Sequence, residues 1–403
     1  MKILVVHEVS YLRKVIYEIH EFPELLALRG HDITFVDFDE GAKRPSRAAD
    51  RDRIIQGRVH KEAKLRLVTP HAFGLGAFDR IWAIASSIPV FFRLMRQEKF
   101  DVILNFAVPT YGLQVLLLAK LFGIPVVHRA LDVSSQIRRS LWNPLIAIWE
   151  RMVFRLAQSI SANNPAMKGY VQSELGDKPS VPIEVNYPPL DLGISRPVAF
   201  DEDLAASLGI KSSDKVLVYM GSFFYFSGLD EVIHELAAEF SSSPDLKLLL
   251  IGGGEQEEEL RQIAASLGAE NQVMFTGFIP FVELSRYMSL GDIAINPLRP
   301  ERVASMAFPQ KVLQYLGTGL PVVSTKLEGL VAAFAGSAEI VWTDSATRAA
   351  STAVELIKSG SLPSKFETRP VPKVLVDLFS PESATSSLEN HLSSVAGRRG
   401  KAV

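Results

Sequence analysis

The segment Ser305–Ser324, with the sequence SMAFPQKVLQYLGTGLPVVS, has the most informative local pattern for the fold. It predicts a short helix that begins near Pro309, because a first helical turn tolerates proline, and that stops at two glycines. A buried strand, Leu320–Thr325, follows directly. Such a helix ends beside a sheet, and its positive amino end at Phe308–Lys311 can face an anion. The alternative is an ordinary helix–turn–strand corner without a ligand.

The composition is that of a globular protein that can bury large cores. The 403 residues indicate roughly two or three domains of ~150 residues each. Hydrophobic residues make up 47% and charged residues 22%. The formal net charge of -2 excludes a whole-molecule basic field for nucleic acid. The chain has no cysteine, which excludes disulfides, thiolate zinc sites and a cysteine nucleophile and fits a reducing compartment.

The sequence contains no segment typical of secretion or of a membrane span. The apolar run at the N-terminus is far too short for a signal peptide. The longest uncharged run, Val102–Ala119, includes Pro109 and Gly112, so a strand, a turn and a helix start explain it better than a membrane helix. We therefore expect a cytoplasmic protein without a membrane span.

Strands alternate with helices through the first half of the chain, which predicts a doubly wound parallel sheet. The predicted helices include one that ends at Gly30, Leu113–Phe122 and Leu145–Leu156. The predicted strands are Lys2–Val6, His31–Asp37, Asp101–Ala107, Ile124–His128, Ser159–Ala162 and Val181–Tyr187.

The alternation restarts after a proline-containing linker, Pro188–Asp203, and a last helix is predicted at Phe379–Val395. The strands of this half are Lys215–Met220, Leu246–Ile251, Val273–Thr276, Ile293–Asn296, Val322–Thr325 and Ile340–Trp342, and its helices include Leu229–Phe240, Glu255–Leu267 and Ala346–Lys358. We therefore predict an α/β fold of two Rossmann-like domains, residues 1–190 and 191–375, facing each other across a cleft, with residues 376–403 as a final helix and tail. Ligands of such sheets bind beyond the carboxyl ends of the strands.

Two segments of the first domain have a surface interpretation. The run Lys43–Arg66 has nine basic residues against three acidic ones and is interpreted as a solvated loop and helix. The alternative is a patch for an anionic membrane surface or a lipid phosphate. The apolar segment Ile81–Met95 is predicted to be a buried helix, with insertion into a lipid interface as the alternative.

Three glycine-containing strand–helix turns are candidates for a phosphate site. Four glutamates follow Gly252–Gly254, and their charge would repel a phosphate. The turn from Gly221 to Ser227 offers hydroxyl groups and unpaired N–H groups. The Phe308–Lys311 helix start is the only candidate with a lysine in its first turn. The histidines are scattered without a metal-binding pair, and no nucleophile elbow or Walker loop is present. We expect an anionic, nucleotide-like ligand and no metal.

Nine segments along the chain resemble, in the same order, the retaining GT-B glycosyltransferases of family GT4, which use nucleoside-diphosphate sugars. They are KILVV, ELLALRGHDITFV, KFDVILNFAVPTYG, LFGIPVVHRALD, LVYMGSFFYFSGLDEVI, LKLLLIGGG, VMFTGFIPFVELSRYMSLGDIAINPLRP, PQKVLQYLGTGLPVVST and DLFSPES. The resemblance implies donor binding in the C-terminal domain, acceptor binding in the N-terminal domain, and a final helix that returns to the first domain. It also implies metal-independent transfer with retention, with the nucleotide sugar as co-substrate and no further cofactor.

The resemblance also implies site residues. It gives Asp132 a catalytic position, although a helix-capping role is an equal alternative. For donor binding, the resemblance and the local sequence together give Gly221, Ser222, Ser227, Phe278, Ile279, Arg302, Pro309, Lys311 and Gln314. The chain departs from the family at both usual glutamates, which are replaced by Met306 and Gln314.

The first phosphate loop has a further departure, because serines and aromatic residues stand where the family has an arginine and a lysine. We predict that Lys311 and Arg302 replace that basic pair, with Arg299 as a third candidate. The alternative is that all three are solvent charges.

The leading functional hypothesis is transfer of a sugar to an acceptor hydroxyl, on a lipid-linked or cell-surface glycan precursor at the inner face of the membrane. The alternative is a non-catalytic GT-B subunit that binds a partner glycosyltransferase or a glycan. A sugar-nucleotide epimerase of the same fold is a third hypothesis.

Overall fold

The structure is a computed structural model that describes residues 1–39, 51–73, 77–134, 142–176, 181–300, 305–334 and 338–398. The chain divides into two compact units. Unit 1 comprises Met1–Pro189 and Pro381–Val403, and unit 2 comprises Leu190–Ser380. The boundaries predicted from the sequence fall after residues 190 and 375.

The described part of unit 1 forms an eight-stranded sheet. Its strands are β1 (Lys2–Val6), β2 (Asp32–Val36), β3 (Asp52–Gln56), β4 (Lys64–Val68), β5 (Val102–Asn105), β6 (Val126–Ala130), β7 (Ser159–Ala162) and β8 (Ile183–Val185). They lie in the order β3-β4-β2-β1-β5-β6-β7-β8, and all neighbours except β3 and β4 are parallel. The central strands are continuous apolar runs because helices cover both faces of the sheet.

The helices of unit 1 that precede unit 2 are α1 (Glu18–Leu28), α2 (Ala77–Gln97), α3 (Gly112–Phe122), α4 (Asn143–Leu156) and α5 (Pro165–Leu175). The apolar residues of α1, such as Ile19, Phe22 and Leu26, are fully buried against the sheet. Ion pairs tie some of the helices to strands, and Arg129 of β6 donates to Glu18 of α1 at 2.7 Å.

The described part of unit 2 forms a six-stranded parallel sheet. Its strands are β9 (Lys215–Ser222), β10 (Leu246–Gly253), β11 (Val273–Gly277), β12 (Ile293–Asn296), β13 (Val322–Thr325) and β14 (Ile340–Thr343), in the order β11-β10-β9-β12-β13-β14. Its helices are α6 (Glu202–Ser207), α7 (Leu229–Ser242), α8 (Glu257–Ser266), α9 (Leu284–Met288), α10 (Gln310–Gly317), α11 (Glu328–Ala333) and α12 (Ala346–Ser359). The strand order reverses between β9 and β12, which makes this the switch point of the sheet.

The last helix, α13 (Pro381–Arg398), belongs to unit 1. Its Leu388, Leu392 and Val395 lie in the same apolar core as β1 and β2. On the outer side, Arg29 of α1 donates to Glu389 at 2.6 Å. The prediction that the final helix returns to the first domain is therefore confirmed.

The interpretation of the basic run as a loop and helix was wrong for its described part. Residues 40–50 lie outside the described residues, and the remainder forms the antiparallel hairpin of β3 and β4. Several of its cations already have partners. Arg58 donates to the backbone oxygens of Tyr11 and Lys14, and Arg66 pairs with Asp52 and Glu98.

Helix α2 covers the predicted helix Ile81–Met95, but it is buried on one face only. Phe91 and Leu94 are buried, whereas Phe78 is 73% exposed and Ile81 is 65% exposed. The predicted helix is therefore present, and the predicted burial applies to one of its faces. Among the described residues, no helix is both long and apolar enough to cross a membrane.

Candidate functional site

The switch point of unit 2 is open at the carboxyl end of β9. This strand pairs with β10 as far as Ser222, but with β12 only through Leu217 and Val218. Tyr315 of α10 occupies the resulting gap, and its hydroxyl accepts a hydrogen bond from the backbone N–H of Met220 at 2.6 Å. A side chain thus satisfies a backbone group that the strand ladder leaves without a partner.

Lys311 of α10 carries the positive charge at this end of the sheet. Its Nζ donates to the Tyr219 hydroxyl at 2.7 Å and lies 4.1 Å from the centre of the Tyr219 ring. The Tyr219 hydroxyl in turn donates to the backbone oxygen of Ser222 at 3.2 Å. The ammonium group is therefore held beside the first residues of the loop after β9.

Gly221 fits closely beneath this ammonium group. Its φ is +137°, and a Cβ added there would lie 3.0 Å from Lys311 Nζ. The neighbouring strand is closer still, because a Cβ on Gly252 would lie 2.1 Å from the backbone oxygen of Gly221. Both positions therefore require glycine, and they allow a ligand to approach the backbone.

Ser222, the last residue of β9, and Ser227, in the turn that follows, have different roles. Ser227 is buried, and its hydroxyl accepts from the N–H of Phe224 at 3.1 Å and donates to the oxygen of Ser222 at 3.0 Å. Ser227 thus holds the turn together. The Ser222 hydroxyl is half-buried and makes no hydrogen bond to any described residue, so it remains available to a ligand.

Arg299 has its charge balanced within the protein. It donates to Asp230 at 2.6 Å and to Glu231 at 2.6 Å, and it also bonds to the backbone of the aromatic turn at Tyr225. An arginine with two carboxylate partners is a poor candidate for a diphosphate. Arg302 lies outside the described residues, so its predicted role stays a prediction.

Helix α10 begins one residue later than expected, at Gln310, with Pro309 in the capping position. The Gln310 amide nitrogen is buried without a hydrogen-bond partner among the described residues. Gln314, one turn further on, is half-buried, and its side chain makes no hydrogen bond to the described part of the chain. Two amide side chains four residues apart lie on one helix face and can bind hydroxyl groups. Gln310 was not predicted as a site residue from the sequence.

Phe278 and Ile279 follow β11 at the same edge of the sheet. Phe278 is 67% exposed, and its ring lies 3.1 Å from the position that a Cβ on Gly253 would take. Ile279 is half-buried. The structure thus places these two residues on the carboxyl edge that also holds Gly221 and Lys311.

Asp132 lies in unit 1, after the end of β6. Its side chain is accessible to solvent, yet the surrounding protein, together with the Glu18 carboxylate, raises its pKa to about 6. Val133 and Ser134 are not helical, and the residues that follow lie outside the described ranges. The Ser134 N–H donates to Glu150 at 2.8 Å.

The described residues include no group of three or more histidine or acidic side chains that could hold a metal ion. The groups assembled at the switch point are instead one ammonium group, one serine hydroxyl, two amides and the backbone at a glycine. Such a set suits a ligand with phosphate and hydroxyl groups.

Two family models match the chain. The model "Glycosyltransferase Family 4" matches residues 19–193, and "Glycosyl transferases group 1" matches residues 214–359. D-inositol 3-phosphate glycosyltransferase of Segniliparus rotundus is 26% identical over 242 residues, 55% of this chain and 50% of the relative. The lipopolysaccharide core biosynthesis glycosyltransferase LpsE of Rhizobium meliloti is 28% identical over 176 residues, 44% of this chain and 46% of the relative. The chain thus spans about half the length of these curated relatives.

Solved structures are similar over nearly the whole chain. Sucrose-phosphate synthase of Thermosynechococcus elongatus has a TM-score of 0.79 at 15% identity and covers 98% of this chain and 99% of its own. The Anabaena protein HepE, solved with UDP and glucose, has a TM-score of 0.73 at 17% identity and covers 98% of this chain and 100% of its own. The two α/β units define a GT-B fold. With family models matched in both units, the chain belongs to the group 1 glycosyltransferases of family 4, as a divergent member.

Proposed function

We propose that the protein transfers a sugar from a nucleoside-diphosphate sugar, bound in unit 2, to an acceptor hydroxyl with retention and without a metal. The observation that carries this proposal is the Lys311 ammonium group held beside Gly221 at the switch point. Ligands of α/β sheets gather at such points. HepE, a structural neighbour, was solved with UDP and with UDP-glucose.

Each group of the site has a role in this proposal. Lys311 neutralises the negative charge that develops on the departing diphosphate, and a fixed charge there costs no reorganisation during the reaction. The Ser222 hydroxyl and the backbone at Gly221 approach the phosphate oxygens. Gln314 binds a ribose hydroxyl, and Phe278 and Ile279 lie where the nucleotide base rests. Asp132 of unit 1 contacts the transferred sugar or the acceptor.

A turnover assay tests this proposal. Purified protein is incubated with UDP-glucose, UDP-galactose, UDP-N-acetylglucosamine or GDP-mannose, with and without a bacterial glycolipid extract, and the released nucleoside diphosphate is measured. We expect release from one donor, stimulated by the extract. Lys311→Met should make the binding free energy of the nucleoside diphosphate less favourable by about 1.5–3 kcal/mol, the range for a hydrogen bond to a charged group. Binding without turnover would favour the non-catalytic subunit, and interconversion of the sugar would favour the epimerase.

The acceptor is proposed to be a lipid-linked or cell-surface glycan precursor at the inner membrane face. Two relatives have names that refer to such acceptors, LpsE and an alpha-monoglucosyldiacylglycerol synthase of Streptococcus pneumoniae that is 25% identical over 123 residues. A lipid-linked acceptor requires the enzyme to meet a membrane surface, and unit 1 has a face that suits one.

That face consists of the outer sides of α2 and α3, and we call it the α2–α3 face. The two helices are neighbours, with Phe92 and Phe122 rings 5.3 Å apart. Its exposed apolar side chains recur at helical spacing along α2 and continue on α3: Phe78, Ile81, Trp82, Ile88, Phe92, Leu117 and Leu121. A water-exposed helix normally presents polar residues on this side. Contiguous exposed apolar surface of this kind marks an interaction site.

The charge on the α2–α3 face is complementary to anionic lipid. The exposed charged residues Arg93, Arg96 and Lys120 are all basic, and of these Arg93 lies 3.6 Å from the Asp52 carboxylate of β3. The one acidic residue within α2, Asp79, is buried, and α3 contains none. Two contributions would favour membrane binding together. Apolar side chains would enter the lipid interface, and each cation near an anionic surface would add about 1 kcal/mol of binding free energy. This proposal replaces the basic run Lys43–Arg66 as the membrane contact.

Vesicle sedimentation tests the membrane contact. Wild-type protein should sediment with vesicles of phosphatidylcholine and phosphatidylglycerol, less with phosphatidylcholine alone, and less as salt rises. Ile81→Ser combined with Phe92→Ser should abolish sedimentation. Val282→Ser is the matched control, because Val282 is 71% exposed in unit 2. Unchanged sedimentation of the double variant would overturn the proposal, and so would a wild-type dimer that the same substitutions convert to a monomer.

A further inference from the structure

Tyr219 is a fully buried residue of β9 whose hydroxyl reaches the site. Its ring lies in the core of unit 2, 6.1 Å from the Phe223 ring centre. A buried hydroxyl needs partners, and this one has Lys311 Nζ at 2.7 Å and the Ser222 oxygen at 3.2 Å. Since a tyrosine hydroxyl has one proton, it donates to the Ser222 carbonyl and accepts from the ammonium group.

Lys311 differs from Arg299, another cation of this region, because it has no counter-ion among the described residues. Arg299 has two carboxylate partners. No carboxylate of the described residues lies within 4.0 Å of Lys311 Nζ, and this nitrogen bonds to a neutral hydroxyl above an aromatic face. A half-buried cation near a helix amino end experiences an unfavourable dipole. Tyr219 offsets that cost through a hydrogen bond and a cation–π contact, and the charge remains available to an anion.

The order of the lysine side chain matters for binding. A lysine has a flexible four-carbon stem, and fixing it costs up to ~2 kcal/mol of rotamer entropy. The hydrogen bond and the ring of Tyr219 hold the ammonium group through contacts within the protein itself. Gly221 leaves room for the ammonium group, because a Cβ at this position would lie 3.0 Å from Lys311 Nζ. Because the side chain is already ordered, less conformational entropy is lost when the ligand binds, and the affinity for the ligand is higher.

We propose that Tyr219 is a positioning residue for the diphosphate of the nucleotide sugar, acting through Lys311 without touching the ligand. The inference rests on the proposed function. In this proposal, Tyr219 of β9 keeps the Lys311 ammonium group of α10 beside the end of β9. The segment 222–227 that follows contains serines and aromatic residues and no cation.

Tyr315 supplies a matched control. It is also a fully buried tyrosine of unit 2, and its hydroxyl also has one short contact, to the Met220 N–H at 2.6 Å. Its hydroxyl pairs with the backbone of β9, whereas that of Tyr219 pairs with Lys311. A purely structural effect of losing a buried hydroxyl should therefore appear in Tyr315→Phe as well.

The experiment is a double-mutant cycle on Tyr219→Phe and Lys311→Met. Isothermal titration with UDP, GDP, their nucleosides and inorganic pyrophosphate is run on wild type, both single variants, the double variant and Tyr315→Phe. Tyr219→Phe should lower the affinity for the diphosphate roughly two- to tenfold, the range for one hydrogen bond, and leave the affinity for the nucleoside unchanged. In the Lys311→Met background the same change should have no further effect, because the two residues act as a unit. Tyr315→Phe should lower the melting temperature and leave the diphosphate affinity unchanged.

Several results would overturn the inference. These are an unchanged diphosphate affinity in Tyr219→Phe, equal losses for nucleoside and diphosphate, or additive losses in the double variant. Pyrophosphate separates this inference from the proposed function. If pyrophosphate binds and depends on both residues while no nucleotide sugar is turned over, Tyr219 positions an anion-binding lysine and the transfer proposal fails. If neither pyrophosphate nor any nucleotide binds, both are wrong.

Discussion

Replacing Gly221 with alanine perturbs the backbone and the cation of the site together. The φ of +137° lies in a region that is essentially restricted to glycine, and holding another residue there costs on the order of 1–3 kcal/mol. The new Cβ would also lie 3.0 Å from Lys311 Nζ and 3.3 Å from its Cε. The ammonium group must therefore shift by a few tenths of an ångström, and its contact with a diphosphate should weaken.

Two quantities should change in Gly221→Ala. The free energy of unfolding should fall by about 1–3 kcal/mol, which corresponds to roughly 2–4 °C per kcal/mol for a unit of this size. The affinity for UDP or GDP should fall by about two- to tenfold, which is part of the free energy of one hydrogen bond to a charged group. Calorimetric melting and isothermal titration measure the two effects separately.

Gly209→Ala is the control for backbone strain. Gly209 also has a positive φ, +71°, but a Cβ there would meet nothing within 4 Å. This variant should lose about 1–2 kcal/mol of stability for a left-handed alanine, with diphosphate affinity unchanged. If Gly221→Ala melts lower but binds the diphosphate like wild type, the ammonium group beside Gly221 is not part of the site.

Three further predictions concern other residues. Gln314→Glu should keep or tighten nucleotide binding, because charge-assisted hydrogen bonds are roughly twice as strong as neutral ones, whereas Gln314→Ala should weaken it; identical titrations for both would remove Gln314 from the site. The surrounding protein, together with the Glu18 carboxylate, raises the pKa of Asp132 to about 6 although its side chain is accessible to solvent. Turnover should therefore rise with pH near 6 as its carboxylate forms, and Asp132→Asn should remove this dependence at a nearly unchanged melting temperature. Burial lowers the pKa of His128 to about 4, below the unfolded value of about 6.5. Since the unfolded chain then binds the proton first, unit 1 should lose on the order of 3 kcal/mol as pH falls from about 6.5 to about 4, and urea unfolding of His128→Gln should show a weaker pH dependence.

Much of the fold could be predicted from local patterns. Strands such as β1 and β9 are continuous apolar runs that are bounded by turns, so their extent is visible in the sequence. The hairpin of β3 and β4 was missed because β3 is an exposed edge strand whose residues are mostly polar. For α2, the apolar residues extend almost all round the helix, and periodicity could not show which of them would remain in solvent.

The candidate site could be predicted only in part, because its contacts join distant residues. The lysine at a helix start was visible in the local sequence. Its partner Tyr219 is 92 residues away and looks like any other residue of a buried strand. Arg299 likewise could not be matched with Asp230 and Glu231 before the fold was known. Contacts between side chains that are distant in the sequence can be recognised only once the tertiary structure is known.

The most direct test of the central claim is a crystal structure of the protein with a nucleoside diphosphate bound. We expect a phosphate oxygen about 2.7–2.9 Å from Lys311 Nζ, the distance typical of a charge-assisted hydrogen bond. The same phosphate should lie against the backbone at Gly221, with Tyr219 still bonded to the lysine. A diphosphate bound instead at Gly252–Gly254, or away from the switch point of unit 2, would contradict the account.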